Sequence, residues 1–309
     1  MLTGGTGFVG KALCAYLRQH GYHVITVGRA DNVQARALDY QVISIDRQTE
    51  WTRILDDVDV VIHLAARGHV MKEQLANPLD AYRETNVDGT LNLARQAAKS
   101  GVRRFIFVSS IKVNGEQTLL GKPFAADDIP APEDAYGISK LEAEQGLLIL
   151  SKETEMEVVI IRPPLVYGPE VKENFASMMK FVASGVPLPF GAIYNQRSLV
   201  AIDNLVSLII TCIDHPAAVN QVFLVSDGED VSTSDLLRRL AKAAGVSSRL
   251  IPIPAGLLNM GLTMLGKKMI AQRLLGSLQV DISKTQEMLG WAPPVSVDEG
   301  LLRCFDAEG

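Results

Sequence analysis

Cysteine is scarce in this chain. Three are present, Cys14, Cys212 and Cys304, far apart and with no C-x-x-C pairing. That spacing argues against a disulfide framework or a thiolate zinc site and suits free thiols in a reducing cytoplasm. The five histidines lack metal-ligand spacing too, so no metal is expected. Positive charge is also in short supply, with 30 Lys and Arg against 35 Asp and Glu. Cations cluster only as the pairs Arg103-Arg104, Arg238-Arg239 and Lys267-Lys268, which a solvated face explains, so no nucleic-acid partner is expected. Long apolar runs are missing as well. Ala255 to Leu265 is too short to span a bilayer. Lys267, Lys268 and Arg273 follow it, which suits a helix lying on a membrane surface. A core or dimer-contact helix is the preferred expectation. No signal peptide is legible ahead of the first glycines, so the expected location is cytoplasmic.

What is there is ordinary for a globular chain with a sizeable core: 47% hydrophobic and 21% charged residues over 309 positions. The first half alternates short Val- and Ile-rich runs with longer amphipathic ones. Val24–Val27, Val42–Ile45, Val58–Leu64, Phe105–Ser109 and Val158–Ile161 read as buried strands. Phe8–His20, Leu79–Lys99 and Ala135–Lys152 read as helices between them. That alternation predicts an α/β fold, a doubly wound parallel sheet covered on both faces. After Pro163-Pro164 the rhythm changes to Pro- and Gly-rich segments and helices such as Asp203–Ile213 and Ser234–Ala244. We therefore expect a dinucleotide-binding domain over residues 1–167, with segments of about 192–226 returning to it. Residues 168–191 and 227–309 are expected to form a smaller, mostly helical substrate lobe. Only Met1 and Leu2 precede the first glycine loop, so its strand should be stubby.

Three constellations carry chemistry. Thr3-Gly4-Gly5-Thr6-Gly7-Phe8-Val9-Gly10 spaces glycines at 4, 7 and 10 directly before a helix. Gly4 permits a tight turn, Gly7 a close approach to a pyrophosphate, and Gly10 close helix packing; the helix N-terminus offers N–H groups and positive dipole. At the end of the second strand, Arg29 favours the 2′-phosphate of NADP, while Asp31 keeps NAD open. Tyr136 and Lys140 stand at i and i+4 of a helix, so a cation one turn away can lower the phenol pKa. Such a tyrosine can act as general acid or base on a substrate oxygen. Ser110, at a strand end 26 residues upstream, can hold the same oxygen.

These residues bring the chain to a family. It resembles the extended short-chain dehydrogenases/reductases, specifically the NAD-dependent epimerase/dehydratase group acting on nucleotide sugars, with a Rossmann-type sheet. The resemblance covers essentially the whole length. It rests on residues 3–10, His63-Leu64-Ala65-Ala66, Asn86-Val87-Asp88-Gly89-Thr90, Val108-Ser109-Ser110, Tyr136 with Lys140, Arg162-Pro163, Val166-Tyr167-Gly168-Pro169 and Leu289-Gly290-Trp291. It implies Ser110, Tyr136 and Lys140 as the catalytic set and Asn86 as a helper in the backbone and water network. Ala65, Ala66, Pro163, Tyr136 and Lys140 become cofactor contacts, the lysine holding the nicotinamide ribose, and Asp46 a neighbour of the adenine. On the substrate side it implies a UDP-sugar. Asn174 and Phe175 would form the segment whose backbone approaches the diphosphate, and Phe190 would lie beside the uracil. Arg197 would pair with the diphosphate, with Arg273 the candidate second arginine. It also implies a homodimer built on helices Leu79–Lys99 and Ala135–Lys152.

Two departures narrow the reaction. Dehydratases of this group carry an Asp-Glu pair after the catalytic hydroxyl, where this chain has Ile111 and Lys112. Neither can supply that acid pair, so dehydration is not expected. Galactose epimerases carry Tyr-Phe-Asn after the family arginine, where this chain has Pro163-Pro164-Leu165. The strings at 109–116, 134–147 and 162–169 look most like bacterial reductases of UDP-4-keto-6-deoxy-N-acetylhexosamines, which serve surface-polysaccharide synthesis and are often labelled UDP-glucose 4-epimerases. A 4-ketoreductase is therefore placed ahead of a 4-epimerase of UDP-glucose or UDP-N-acetylglucosamine. A non-catalytic dinucleotide-binding regulator is the remote alternative, and the intact Ser110, Tyr136 and Lys140 argue against it.

Overall fold

A computed structural model describes residues 1–28, 40–68 and 77–306, apart from the side chains of Glu173, Asn174, Lys268 and Met269. The elements run β1 (Leu2–Thr3), α1 (Phe8–Gln19), β2 (Thr26–Gly28), β3 (Tyr40–Val42), β4 (Val60–His63), α2 (Pro78–Arg83), a π turn (Glu84–Gly89), α3 (Thr90–Lys99) and β5 (Arg104–Val108). They continue with α4 (Ala135–Glu153), β6 (Glu157–Arg162), β7 (Leu165–Tyr167), α5 (Glu173–Ala183), β8 (Arg197–Ala201), α6 (Ile202–Asp214), β9 (Gln221–Leu224) and β10 (Asp230–Val231). The last helices are α7 (Thr233–Ala243), α8 (Ala255–Met264), α9 (Lys268–Leu275), α10 (Ser283–Leu289) and α11 (Val297–Asp306).

Seven strands form one sheet in the order β3-β2-β1-β4-β5-β6-β9, every described pairing parallel. Strands covered on both faces need apolar side chains on both faces. β5 and β6 meet that demand: Phe105, Ile106, Phe107, Val158, Val159, Ile160 and Ile161 are all fully buried. One core cluster packs α1 and α6 on one side; the other packs α3 and α4 on the opposite side. The α/β reading of the sequence holds. The chain winds outward from β1 in one direction through β2 and β3, then reverses to β4, so the order switches between β1 and β4. Ligands of open parallel sheets sit outside the carboxyl ends of the strands at such a point.

β1 has two residues, both fully buried, and pairs in register with β2 through Leu2 and Thr26 and with β4 through Leu2 and Ile62. A second, small sheet, β10-β8-β7, belongs to the other lobe, whose core gathers Tyr167, Phe175, Leu199, Leu236 and Leu301. β9 returns to the main sheet beside β6.

Leu79–Lys99 is helical throughout, as the sequence predicts, with a π turn at Glu84–Gly89 joining α2 to α3. Gly89 there lies so close to the Ile45 backbone that a Cβ would stand 2.8 Å from its carbonyl oxygen. One correction concerns Ala255–Leu265. It is helical over Ala255–Met264, yet no residue of that helix is buried, which rules out a core helix.

Candidate active site

Thr3 ends β1 and organises the switch point. Its hydroxyl accepts from the Ala65 N–H (3.2 Å) and shares a hydrogen bond with His63 Nδ1 (2.7 Å). His63 Nε2 meets Thr90 Oγ1 at 3.0 Å. Burial, helped by the charge of Lys140, pulls the pKa of His63 down to about 3, so the ring is neutral and works as a strut. The glycine loop then turns beneath Leu64 and Ala65. Gly4 has φ +71°, and a Cβ on it would stand 2.9 Å from the Ala65 nitrogen. A Cβ on Gly10 would collide with the Gly4 carbonyl. No side chain caps α1, whose N-cap is Gly7. A glycine-rich backbone cradle, with Thr6 its one side chain between Gly4 and Gly7, facing an uncapped helix N-terminus beside Phe8 and Val9, fits a dinucleotide pyrophosphate.

Asp46, implied near the adenine, accepts from Ser44 Oγ (2.7 Å) and the Gln48 N–H (2.8 Å), and these bonds hold its carboxyl below the usual range. Arg29, with Asp31, lies outside the described residues. Ala65 and Ala66 stand half-buried just past β4, and Pro163 is buried just past β6, its carbonyl accepting from the Ile111 N–H (3.0 Å).

The hydroxyl and the amine of the proposed catalytic set are brought to one place by a few buried bonds. Ser110 follows β5 and caps a short 3-10 turn, its Oγ accepting from the Lys112 N–H at 3.3 Å. That turn packs on the start of α4, where Asp134 caps the helix by accepting from the Gly137 N–H at 2.7 Å. Gly137 is required there, because a Cβ would stand 2.8 Å from the Lys112 carbonyl oxygen. Lys140, 2% exposed, reaches back to donate to the Val108 carbonyl (2.8 Å), two residues before Ser110, and its ammonium lies 4.0 Å from the Phe107 ring centre.

The two titrating groups correct one expectation. Lys140 was to lower the pKa of Tyr136, yet the phenol is pushed up to about 12 by burial, then by the Asp134 carboxylate and Tyr82. Lys140 is pulled down to about 7 by burial against a smaller opposing pull from Glu144. Desolvation dominates both, because the ammonium is committed to Val108 and Phe107, away from bulk water.

Asn86 was implied as a helper in the backbone network; sequence reasoning missed the rest of the support. The π turn carries Asn86, whose Oδ1 accepts from the Arg67 N–H (2.8 Å) while its Nδ2 donates to Ser139 Oγ (2.9 Å). Ser139 in turn donates to the Tyr136 carbonyl (2.8 Å), so Asn86 reaches the catalytic helix through one hydroxyl. Tyr82 meets Tyr136 edge-on at 6.1 Å. Arg162 ends β6 and donates to Glu144 of α4 (2.6 Å) and to Asn114 after the Ser110 turn (3.0 Å), tying three elements together. The legible signals were weak: a hydroxyl before the glycines and an arginine at a strand end. Lys112, in the dehydratase acid position, pairs with Asp134 (2.5 Å) and Glu116 (2.8 Å), while Ile111 is buried.

On the substrate side, Arg197 opens β8 and donates to the carbonyls of Arg273 (3.1 Å) and Gly276 (3.0 Å). Burial, then the charge of Arg273, lowers its pKa, so the two guanidinium groups share one neighbourhood. Two cations held together suit a dianionic diphosphate. Phe190 is half-buried against the lobe core. The Phe175 ring is spent on that core, stacked 5.4 Å from Tyr167, and the Asn174 backbone lies in α5. A cavity of about 440 Å³ lies at the opposite, amino-terminal edge of the sheet, among Met1, Tyr22, Val58 and Ile213. It holds none of these residues, so glycine placement and donor chemistry locate the site, not volume.

This sheet order, with a glycine-rich loop at its switch point, defines a dinucleotide-binding α/β enzyme fold. The chain belongs to the NAD dependent epimerase/dehydratase family, whose model matches residues 1–226. It is 53% identical to the UDP-glucose 4-epimerase of Vibrio cholerae, over 99% of this chain and 94% of that one. It is 26% identical to the N-acetyl-alpha-D-glucosaminyl-diphospho-ditrans,octacis-undecaprenol 4-epimerase of Escherichia coli O157:H7, over 100% of this chain and 94% of that one. The solved UDP-glucose 4-epimerase of Thermotoga maritima, bound to UDP-glucose, superposes with TM-score 0.80 at 26% identity, covering 99% of this chain and 97% of that one.

Proposed function

We propose that this protein is a NAD-dependent 4-epimerase of a UDP-sugar. The observation that carries the reading is the 53% identity to a UDP-glucose 4-epimerase along 99% of this chain. Motif resemblance alone ranks a 4-ketoreductase first; the relatives reverse that order, and the family's description names NAD of the two cofactors the sequence left open. The ketoreductase stays as the second reading because Pro163-Pro164-Leu165 replaces the wall expected of a galactose epimerase.

Bound NAD supplies the hydride acceptor and donor at C4. Gly4, Gly7, Phe8, Val9 and Gly10 hold the pyrophosphate, with Asp46, Ala65, Ala66 and Pro163 along the rest of the cofactor. Tyr136 takes the proton from the sugar O4 and returns it, and Ser110 holds that oxygen in place. Lys140, one turn along the same helix and pulled down to about 7 by burial, would hold the nicotinamide ribose beside Tyr136. Asn86 keeps the helix carrying Tyr136 in register. Asn174, Phe190, Arg197 and Arg273 bind the UDP moiety. Of the stretches expected to carry the dinucleotide, 1–163 and β9 belong with the main sheet, whereas β7 and β8, with Arg197, join the small sheet and serve the sugar nucleotide beside 168–191 and 227–309. Pairing of two protomers through α2, α3 and α4, and a cytoplasmic location, complete the reading. The E. coli relative's name specifies a lipid-linked sugar diphosphate, and paired arginines suit either carrier of that group.

The test incubates the protein with UDP-glucose and with UDP-N-acetylglucosamine, and separately with UDP-4-keto-6-deoxy-N-acetylglucosamine plus NADH or NADPH. The C4 epimer should form with no net change at 340 nm. Stoichiometric oxidation of the nicotinamide by the keto sugar, with no epimer from the other two, would replace this reading with the ketoreductase.

A further inference from the structure

The helix α8 is apolar and stands in water. Leu257 and Met260 are each 56% exposed, Met264 81%, and Leu265 at the tip 71%. Leu257, Met260 and Met264 follow at i, i+3 and i+7 and so share one face. This exposure is not that of a frayed end. Pro254 bridges Ala192, the Ile251 carbonyl accepts from the Gly191 N–H (2.9 Å), and α8 packs on α9. In α9, Ala271 is buried and the Arg273 carbonyl accepts from Arg197. The hairpin is anchored at both ends beside the two arginines and offers its outer face to solvent.

Charge is segregated around it. No charged residue occurs from 250 to 266, and no acidic residue from 236 to 280, in a chain of net charge −5. In sequence, the cations flanking or within the hairpin are Arg249, Lys267, Lys268 and Arg273. Arg249 and Lys267 are exposed and make no ion pair among the described residues. Arg239 and Lys242, farther away in α7, are answered by Glu229, Asp235 and Asp298. An apolar stripe rimmed by cations is the pattern of a helix lying in a lipid interface. At ten residues, roughly 15 Å, α8 lies on a bilayer and does not cross it. A second copy is the poorer occupant, since an isologous two-fold contact sets cationic rim near cationic rim.

We propose that the outer face of the α8–α9 hairpin docks this protein on an anionic lipid surface. Docking sets the Arg197–Arg273 pair at the membrane side of the molecule, whatever sugar the site takes.

The test is flotation of the full chain with phosphatidylcholine vesicles, with and without phosphatidylglycerol. Wild-type protein should float with the anionic vesicles only and be released by high salt. Met264→Glu with Leu265→Glu should cut partitioning by at least about tenfold, since two exposed apolar side chains that would enter the lipid are replaced by charges. Lys267→Ala should cut it roughly fivefold. The melting temperature and turnover on a water-soluble substrate should not change in either variant. The proposal falls if wild-type protein stays unbound, if the double variant floats like wild type, or if that variant instead lowers the mass seen in sedimentation equilibrium, which assigns the face to a second copy. Should the double variant lose turnover, Lys267→Ala and the salt dependence decide alone.

Discussion

Two helices of this molecule invert the usual rule. In α4 a lysine and a glutamate, Lys140 and Glu144, are buried to 2% and 1% exposure. In α8 two leucines and two methionines at or near the helix stand largely in water. Apolarity therefore does not decide burial here; partners do. Glu144 meets the guanidinium of Arg162, and Lys140 meets a carbonyl and an aromatic face, so each charged group recovers part of what it loses on leaving water. The outer stripe of α8 has no described element against it.

The comparison is broken most severely at Tyr136. Tyr136→Phe keeps the ring on α4 and removes the proton, so turnover should fall roughly 10²–10⁴-fold while NAD affinity, measured by calorimetry, changes little. Normal turnover in that variant would remove Tyr136 from the mechanism. Next comes the buried pair. Glu144→Ala leaves the Arg162 guanidinium buried with only Asn114, and urea unfolding should show a loss of about 3–5 kcal/mol. A loss below about 1 kcal/mol would mean that the pair is not what holds α4 down.

The third prediction is a pH profile. His63 has a folded pKa of about 3 against an ordinary 6.5, so between those values the unfolded chain binds a proton that the folded chain refuses. Its contribution is full above pH 6.5 and is lost as pH falls toward 3, at up to about 1.4 kcal/mol per pH unit. Stability measured between pH 7 and 4 should fall more steeply in wild type than in His63→Leu, whatever the variant's starting level; parallel profiles would contradict a neutral buried ring. The smallest effect belongs to α8. Leu257→Gln should change stability by no more than about 0.5 kcal/mol, because an exposed side chain has little burial to lose. A large loss there would show that the face is covered in solution.

What the sequence determined by itself is the sheet and the chemistry-bearing positions. Alternating Val- and Ile-rich runs with amphipathic ones leave few arrangements other than a parallel sheet. Glycines at 4, 7 and 10 before a helix, and Tyr136 four residues ahead of Lys140, are local patterns whose geometry comes from helix and turn periodicity alone. What only the tertiary structure decided depends on groups far apart in the chain. The π turn that presents Asn86 exists where Gly89 must pass the backbone of Ile45. The phenol of Tyr136 rises instead of falling because burial dominates, followed by the Asp134 carboxylate and Tyr82. Arg197 and Arg273 form a pair although 76 residues separate them. The fate of α8 is the clearest case: its composition reads as a core or dimer-contact helix, and burial within the fold, a property of what packs against it, was never written in its own residues.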